Sequence, residues 1–219
     1  MVPEMRNVIL DEALDTPERT VASRTLRDRA DAYEAEVRRL VDAAYVVMRR
    51  TGDLDPRVGD IVAEASLSNQ TFYRHFRSKD ELLLTVLEDG QRRLLATLDT
   101  RMARVEPGTP RVRAWVEGVL EQARNAAAAA NTRPFALTGL RLADRFPVEW
   151  ARSRDVLLTP LRAAIADAGG DRTRDAPAVY HLAMGTMQES LARRERPSDA
   201  DVEHIAEAAV AIVEAHRGA

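Results

Sequence analysis

A chain of 219 residues is long enough to bury a continuous core in one or two domains, and 45% hydrophobic with 31% charged residues is a globular balance rather than a disordered one. The absence of cysteine excludes disulfides, thiol nucleophiles and cysteine-ligated metal, and fits a reducing compartment, the cytoplasm by default. A formal charge of −3 gives no global attraction for nucleic acid, so any basic surface must be local, and an almost exclusive use of arginine over lysine (only Lys79) is chain-wide and marks no site.

Acids interrupt the first apolar run, Val8 to Leu10, so no secretory core is expected, and no segment approaches the ~18 apolar residues of a membrane span. Residues 1–23 are expected to form a flexible arm: Arg6, Arg19 and the adjacent Arg24 are offset by Glu4, Asp11, Glu12, Asp15 and Glu18. Thereafter apolar residues recur at spacings of three and four, which predicts an all-α chain. A helix runs from Arg27 to about Arg50, with Ala30, Tyr33, Val37, Leu40, Val41, Ala44, Val47 and Met48 as its apolar stripe. Asp55 is expected to cap a short helix from Pro56 to Ala65. Ser66-Leu67-Ser68 then breaks the chain, and Ser68 caps a second short helix, Asn69 to Phe76.

Ser78-Lys79-Asp80-Glu81 has the form of a capping box and opens a long helix to about Arg104, with Leu82, Leu83, Val86, Leu87, Leu94 and Leu98 inward. The stretch Glu106 to Pro110 is a clear break. Further helices are predicted near 110–129, 133–145, 147–168, 176–195 and 199–216, with Pro134, Pro147 and Pro177 in first turns. Pro160 either kinks its helix or restarts it, the alanines from Ala126 to Ala130 form a helix end, and Gly169-Gly170 and Gly218 are stops.

Two short helices joined by a three-residue turn have the spacing of a helix-turn-helix. At about 100° per residue Phe72 and Phe76 share one buried face, while Gln70, Thr71, Tyr73 and Arg74 point outward. Asn and Gln can pair with adenine, Arg with guanine, and Thr or Tyr with a thymine methyl or a phosphate; Asn69 lies at the first turn, which enters the groove. No acid falls between Ser66 and Lys79, where Arg74, Arg77 and Lys79 sum to +3. The free N–H groups at the start of the helix opened by Lys79 favour a phosphate.

The segment VGDIVAEASLSNQTFYRHFRSKDELLLTVL, Val58 to Leu87, resembles the helix-turn-helix signature of TetR-family transcriptional regulators. Ile61, Ala65, Leu67, Ser68, Phe72, Tyr73, His75, Phe76, Ser78, Lys79, Asp80 and Leu82 fill the places of that pattern. The resemblance implies a three-helix DNA-binding domain, 24–78, joined by a long helix to a ligand-binding and dimerisation domain, 79–219. It implies phosphate contacts by Tyr73, His75 and Lys79. Base contacts then fall to Asn69, Gln70 and Arg74, with Thr71 on base or backbone and Ser68 completing the set. Two departures stand out: Arg57 replaces a threonine that usually meets phosphate, and Ser66 stands where glycine is common, so the turn is expected to do without a positive φ.

In the second domain Val179, Leu182, Ala183, Thr186, Met187, Ser190 and Leu191, and Val202, Ile205, Ala206, Ala209, Ile212 and Val213, form two helical stripes. These serve either as core or, as the resemblance implies, as the four-helix interface of a homodimer through 176–195 and 199–216. Trp115, Phe135, Arg141, Trp150, Tyr180 and Met184, with Val119, Leu140, Phe146 and Met187 near them in the pattern, are either ordinary core or the lining of a cavity for an apolar or amphipathic effector; Arg141 and His181 are its candidate polar anchors. The expected function is a DNA-binding regulator, a repressor released from a palindromic double-stranded operator by a small molecule. Activation by the same architecture, or a ligand-binding or scaffold protein without DNA recognition, are the alternatives. No cofactor, metal site or catalytic residue is expected: His75, His181, His204 and His216 lack metal-ligand spacing, and acid pairs such as Asp80-Glu81 and Asp199-Asp201 sit at helix starts as caps.

Overall fold

The computed structural model describes residues 17–52 and 55–216, except for the side chains of 17–23, 137, 138 and 140. Arg6, the Arg19 and Leu140 side chains and Gly218 therefore lie outside the described residues. Every regular element among the described residues is an α-helix: α1 (Pro17–Thr51), α2 (Val58–Glu64), α3 (Asn69–His75), α4 (Lys79–Met102), α5 (Thr109–Arg124), α6 (Ala126–Arg145), α7 (Pro147–Asp167), α8 (Asp175–Arg193) and α9 (Asp199–Glu214). None of the described helices is long and apolar enough to cross a membrane.

The chain divides after Arg39. In the first part α1 begins at Pro17, ten residues ahead of the expected Arg27. Proline suits a first helical position, and no glycine or second proline follows before Gly52 to stop propagation. Ala30 and Tyr33, expected on the apolar stripe, are exposed there, Tyr33 at 49%. In the second part the same helix buries Leu40, Val41, Ala44, Tyr45, Val47 and Met48.

Beyond α1, Asp55 does not cap α2. The helix starts at Val58 behind an extended Arg57 with no side-chain cap, and the Asp55 carboxylate instead lies 2.7 Å from the Lys79 ammonium and 3.2 Å from the Arg141 guanidinium. Two nearby cations outbid backbone N–H groups for a carboxylate. The turn after α2 also departs from expectation, because Ser66 adopts φ +52°, the left-handed conformation that favours glycine. At α4 the Ser78 hydroxyl accepts from the Glu81 N–H at 3.2 Å, but Glu81 Oε2 accepts from the Arg77 N–H at 2.6 Å, one residue ahead of the cap. The reciprocal box forms at α9 instead, between Ser198 and Asp201. Asp80 is not a cap; it is buried and takes Arg145 at 2.6 Å. Asp199 likewise meets Arg124 rather than serving as a cap.

Helix α5 is central to the larger core. Val112, Trp115, Val116, Val119 and Leu120 are fully buried on it, against α4, α7, α8 and α9. Gly108, at φ +90°, allows the chain to turn into this helix. The predicted helix 110–129 ends early, because Asn125 accepts from the Ala127 and Ala128 N–H groups at 3.0 Å and starts α6 there. The alanine run is consequently the start of a helix, and Pro134 lies in its interior rather than in a first turn. Alanine's high helix propensity carries the helix across the position where proline supplies no N–H. Helix α7 runs through Pro160 without restarting. The two C-terminal stripes divide: Val179, Ala183, Met187 and Leu191 and Val202, Ala206, Ala209 and Val213 enter the core, whereas Leu182, Ile205 and Ile212 remain half-buried.

Candidate nucleic-acid interface and ligand cavity

Helix α3 is positioned by its cap and by its aromatic face. The Ser68 hydroxyl accepts from the Thr71 N–H at 3.0 Å and lies 3.0 Å from the Thr71 hydroxyl, satisfying an otherwise orphan helix-start donor. Phe72 is fully buried and Phe76 nearly so, their rings 5.7 Å apart, while Ile61, Val62 and Ala65 of the preceding helix and turn are buried as well. Fixing that face leaves Asn69, Gln70 and Arg74 exposed, with Tyr73 60% exposed and Thr71 and His75 half-buried. The Tyr73 ring stands edge-on to Phe72 at 5.2 Å, which steadies it while its hydroxyl end faces outward. Arg57 is exposed at the start of α2.

Lys79 and its surroundings form a charged node. Asp55 lies between Lys79 and Arg141, and Asp80, one residue on, is gripped by Arg145 at 2.6 Å and approached by Arg141 at 3.5 Å. The hydrogen bond from Lys79, and secondarily that from Arg141, hold the Asp55 carboxyl below its ordinary range. Arg141 is thus bound to Asp55, ahead of α2, and to Asp80 of α4, and does not line the cavity.

The cavity, about 290 Å³, lies between α1 after Leu40, α4 and α5 to α8. Four of the expected ligand residues, Phe135, Trp150, Tyr180 and Met184, line it, and so does Met187. Trp115 does not: it is fully buried beside Tyr180, ring centroids 6.2 Å apart, and its indole N–H donates to the Leu157 carbonyl at 3.3 Å. Val119 is core, Phe146 joins α6 to α7, and His181 is exposed; none of them is in the lining.

Sequence reasoning missed Tyr45, Arg93 and Arg154 in the lining. Tyr45 was findable, since it falls one turn after Val41 on the buried stripe. Its hydroxyl donates to the Val86 carbonyl of α4 at 2.9 Å, and burial, reinforced by Asp89, pushes its pKa up to about 12. Burial likewise raises that of Tyr180, against a smaller opposing pull from Arg154. Nothing in the local pattern separates Arg93 or Arg154 from the chain's many surface arginines. No grouping of three or more His, Cys, Asp or Glu residues suited to a metal occurs among the described residues.

The model for bacterial regulatory proteins of the tetR family matches residues 40–86, from the buried part of α1 through α2 and α3 into α4. No curated protein matches the chain by sequence. Among solved structures, a tetR-family transcriptional regulator from Mesorhizobium loti is similar at TM-score 0.63 and 18% identity, over 84% of this chain and 96% of that one. The transcriptional regulator FadR from Bacillus subtilis, solved with stearoyl-CoA, is similar at TM-score 0.61 and 13% identity over 80% and 96%. RolR, solved with resorcinol, is similar at 0.56 and 17% over 84% and 89%. The helix-turn-helix segment of this chain therefore matches the tetR family of bacterial regulatory proteins, and the chain as a whole shares the fold of solved transcriptional regulators of that family.

Proposed function

We propose that the chain is a homodimeric repressor that binds a near-palindromic operator and leaves it when a small apolar or amphipathic molecule fills the cavity. The observation that carries this reading is the division of α3 into a buried Phe72–Phe76 face and an exposed polar one. Residues 24–78 act as the reading head. Asn69, Gln70, Arg74 and Thr71 read base edges in the major groove, while Arg57, Ser68, Tyr73, His75 and Lys79 hold backbone. Residues 79–219 bind the effector and dimerise through α8 and α9, whose Leu182, Ile205 and Ile212 pack against the core while staying partly open to solvent. That FadR and RolR were solved with stearoyl-CoA and resorcinol favours a ligand site in the corresponding part of this fold. Release requires only that the effector bind one conformation better than the other, and coupling cannot exceed that difference.

A gel-shift against DNA upstream of the chain's own gene tests this: a sequence-specific, salt-sensitive shift is expected. Its absence at every site would leave a ligand-binding protein without DNA recognition. Lys79→Ala weakens binding to all sequences alike, whereas Arg74→Ala or Gln70→Ala changes base preference by about 1–3 kcal/mol at one position. Identical behaviour of Arg74→Ala and Lys79→Ala would refute the division between base and backbone contacts. An operator whose occupation raised transcription would make the protein an activator.

A further inference from the structure

The cavity lining is unbalanced in charge. Among the described residues no acid lines the cavity, while two arginines, Arg93 and Arg154, do. Arg93 is compensated: its guanidinium lies 2.7 Å from Asp89 Oδ2 and stands over the Tyr45 ring at 5.5 Å. Arg154 has no ion pair with any acid among the described residues, and its neighbour Asp155 faces Arg162 instead, at 3.3 Å. The site therefore holds one net positive charge at an exposed position, while Phe135, Leu157 and Met187 form a buried apolar floor beneath the half-buried Trp150 and Met184. An amphipathic ligand would seat its body on that floor and keep its charged end near water.

We infer that the cavity takes an organic anion, a carboxylate on an apolar or aromatic body, with the carboxylate at Arg154 and the body against Phe135 and Trp150. A guanidinium fork matches a carboxylate with two parallel N–H donors, and no described lining residue is an acid, the nearby Asp89 being held by Arg93. The volume of about 290 Å³ is at the lower end for ligand sites, so the body is small. This inference rests on the reading of the cavity as the effector site.

Calorimetric titration of the full chain with two shape-matched pairs, naphthalene-2-carboxylate against naphthalene-2-carboxamide and decanoate against decanamide, tests it without DNA. At least one acid is expected to bind about tenfold tighter than its amide, and Arg154→Gln to bring that ratio within about twofold. Arg152→Gln, an exposed arginine outside the lining, is expected to leave the ratio intact. Equal binding of acid and amide, no binding by either pair, a ratio that survives Arg154→Gln, or one that falls equally in Arg152→Gln would each overturn the inference. A wild-type chain that shows the ratio but shifts no DNA refutes the regulator reading and leaves this one standing.

Discussion

Ser66 holds a backbone conformation that costs a residue with a β-carbon roughly 1–2 kcal/mol. Ser66→Gly is therefore expected to stabilise the chain by about 1 kcal/mol, less the extra freedom glycine gains when unfolded. Urea unfolding reads this as a higher midpoint at unchanged slope, and a lower midpoint would mean that the serine side chain holds the turn. The position shows where sequence reasoning stops. A glycine there would have announced the positive φ, whereas serine conceals it, because the turn's geometry is dictated by the two helices it must join. Asp55 is similar, its partner Arg141 lying 86 residues away, beyond any local pattern. Because its carboxyl titrates below the ordinary 3.8, its ion pairs contribute fully above that value and are lost as pH falls through the lowered one. The stability difference between wild type and Asp55→Asn should thus stay level around neutrality and close below about pH 3.8, as followed by denaturant midpoints across pH. A difference that closed well above pH 5 would assign it to another group.

At the scale of elements, two helix starts were legible where a serine cap and an apolar face agreed. Ser68 before Phe72 and Ser78 before Leu82 are such places, and α3 and α4 begin where expected. The α5–α6 boundary was not legible, since one asparagine inside a run of helix-favouring residues must outweigh their tendency to continue. Its two accepted N–H bonds explain how it does so. Asn125→Ala is expected to destabilise by about 1 kcal/mol, or to fuse the two helices and displace Asn131, Thr132, Phe135 and Ala136 from the cavity. Thermal unfolding separates these: simple cap loss lowers Tm and leaves ligand binding unchanged, and fusion lowers both.

For the molecule as a whole, the helix-turn-helix was legible because its pattern is confined to one short stretch, Val58 to Leu87. The cavity was only half legible: its aromatics stood out in a chain with 5% aromatic residues, but helices distant in sequence decide which of them meet. The Asp55–Lys79 pair carries a consequence for how such a head responds to ionic strength. A cation that exchanges mobile ions for a DNA phosphate contributes roughly 0.9 to the slope of log affinity against log salt. Lys79 already has a counter-ion in Asp55, and that ion is tethered to the chain. When a phosphate takes its place a cation condensed on the DNA is released, but the Asp55 carboxylate, left with Arg141 alone, draws a cation back from solution, so little net ion enters the bulk. The wild-type slope should be shallower than its number of phosphate contacts implies, and Asp55→Asn should steepen it by roughly 0.9 while tightening binding at low salt. Parallel slopes for the two proteins would mean that Lys79 never exchanges one partner for the other. If Lys79 holds a phosphate as proposed, the tethered acid makes that part of the grip on DNA less sensitive to the salt around it.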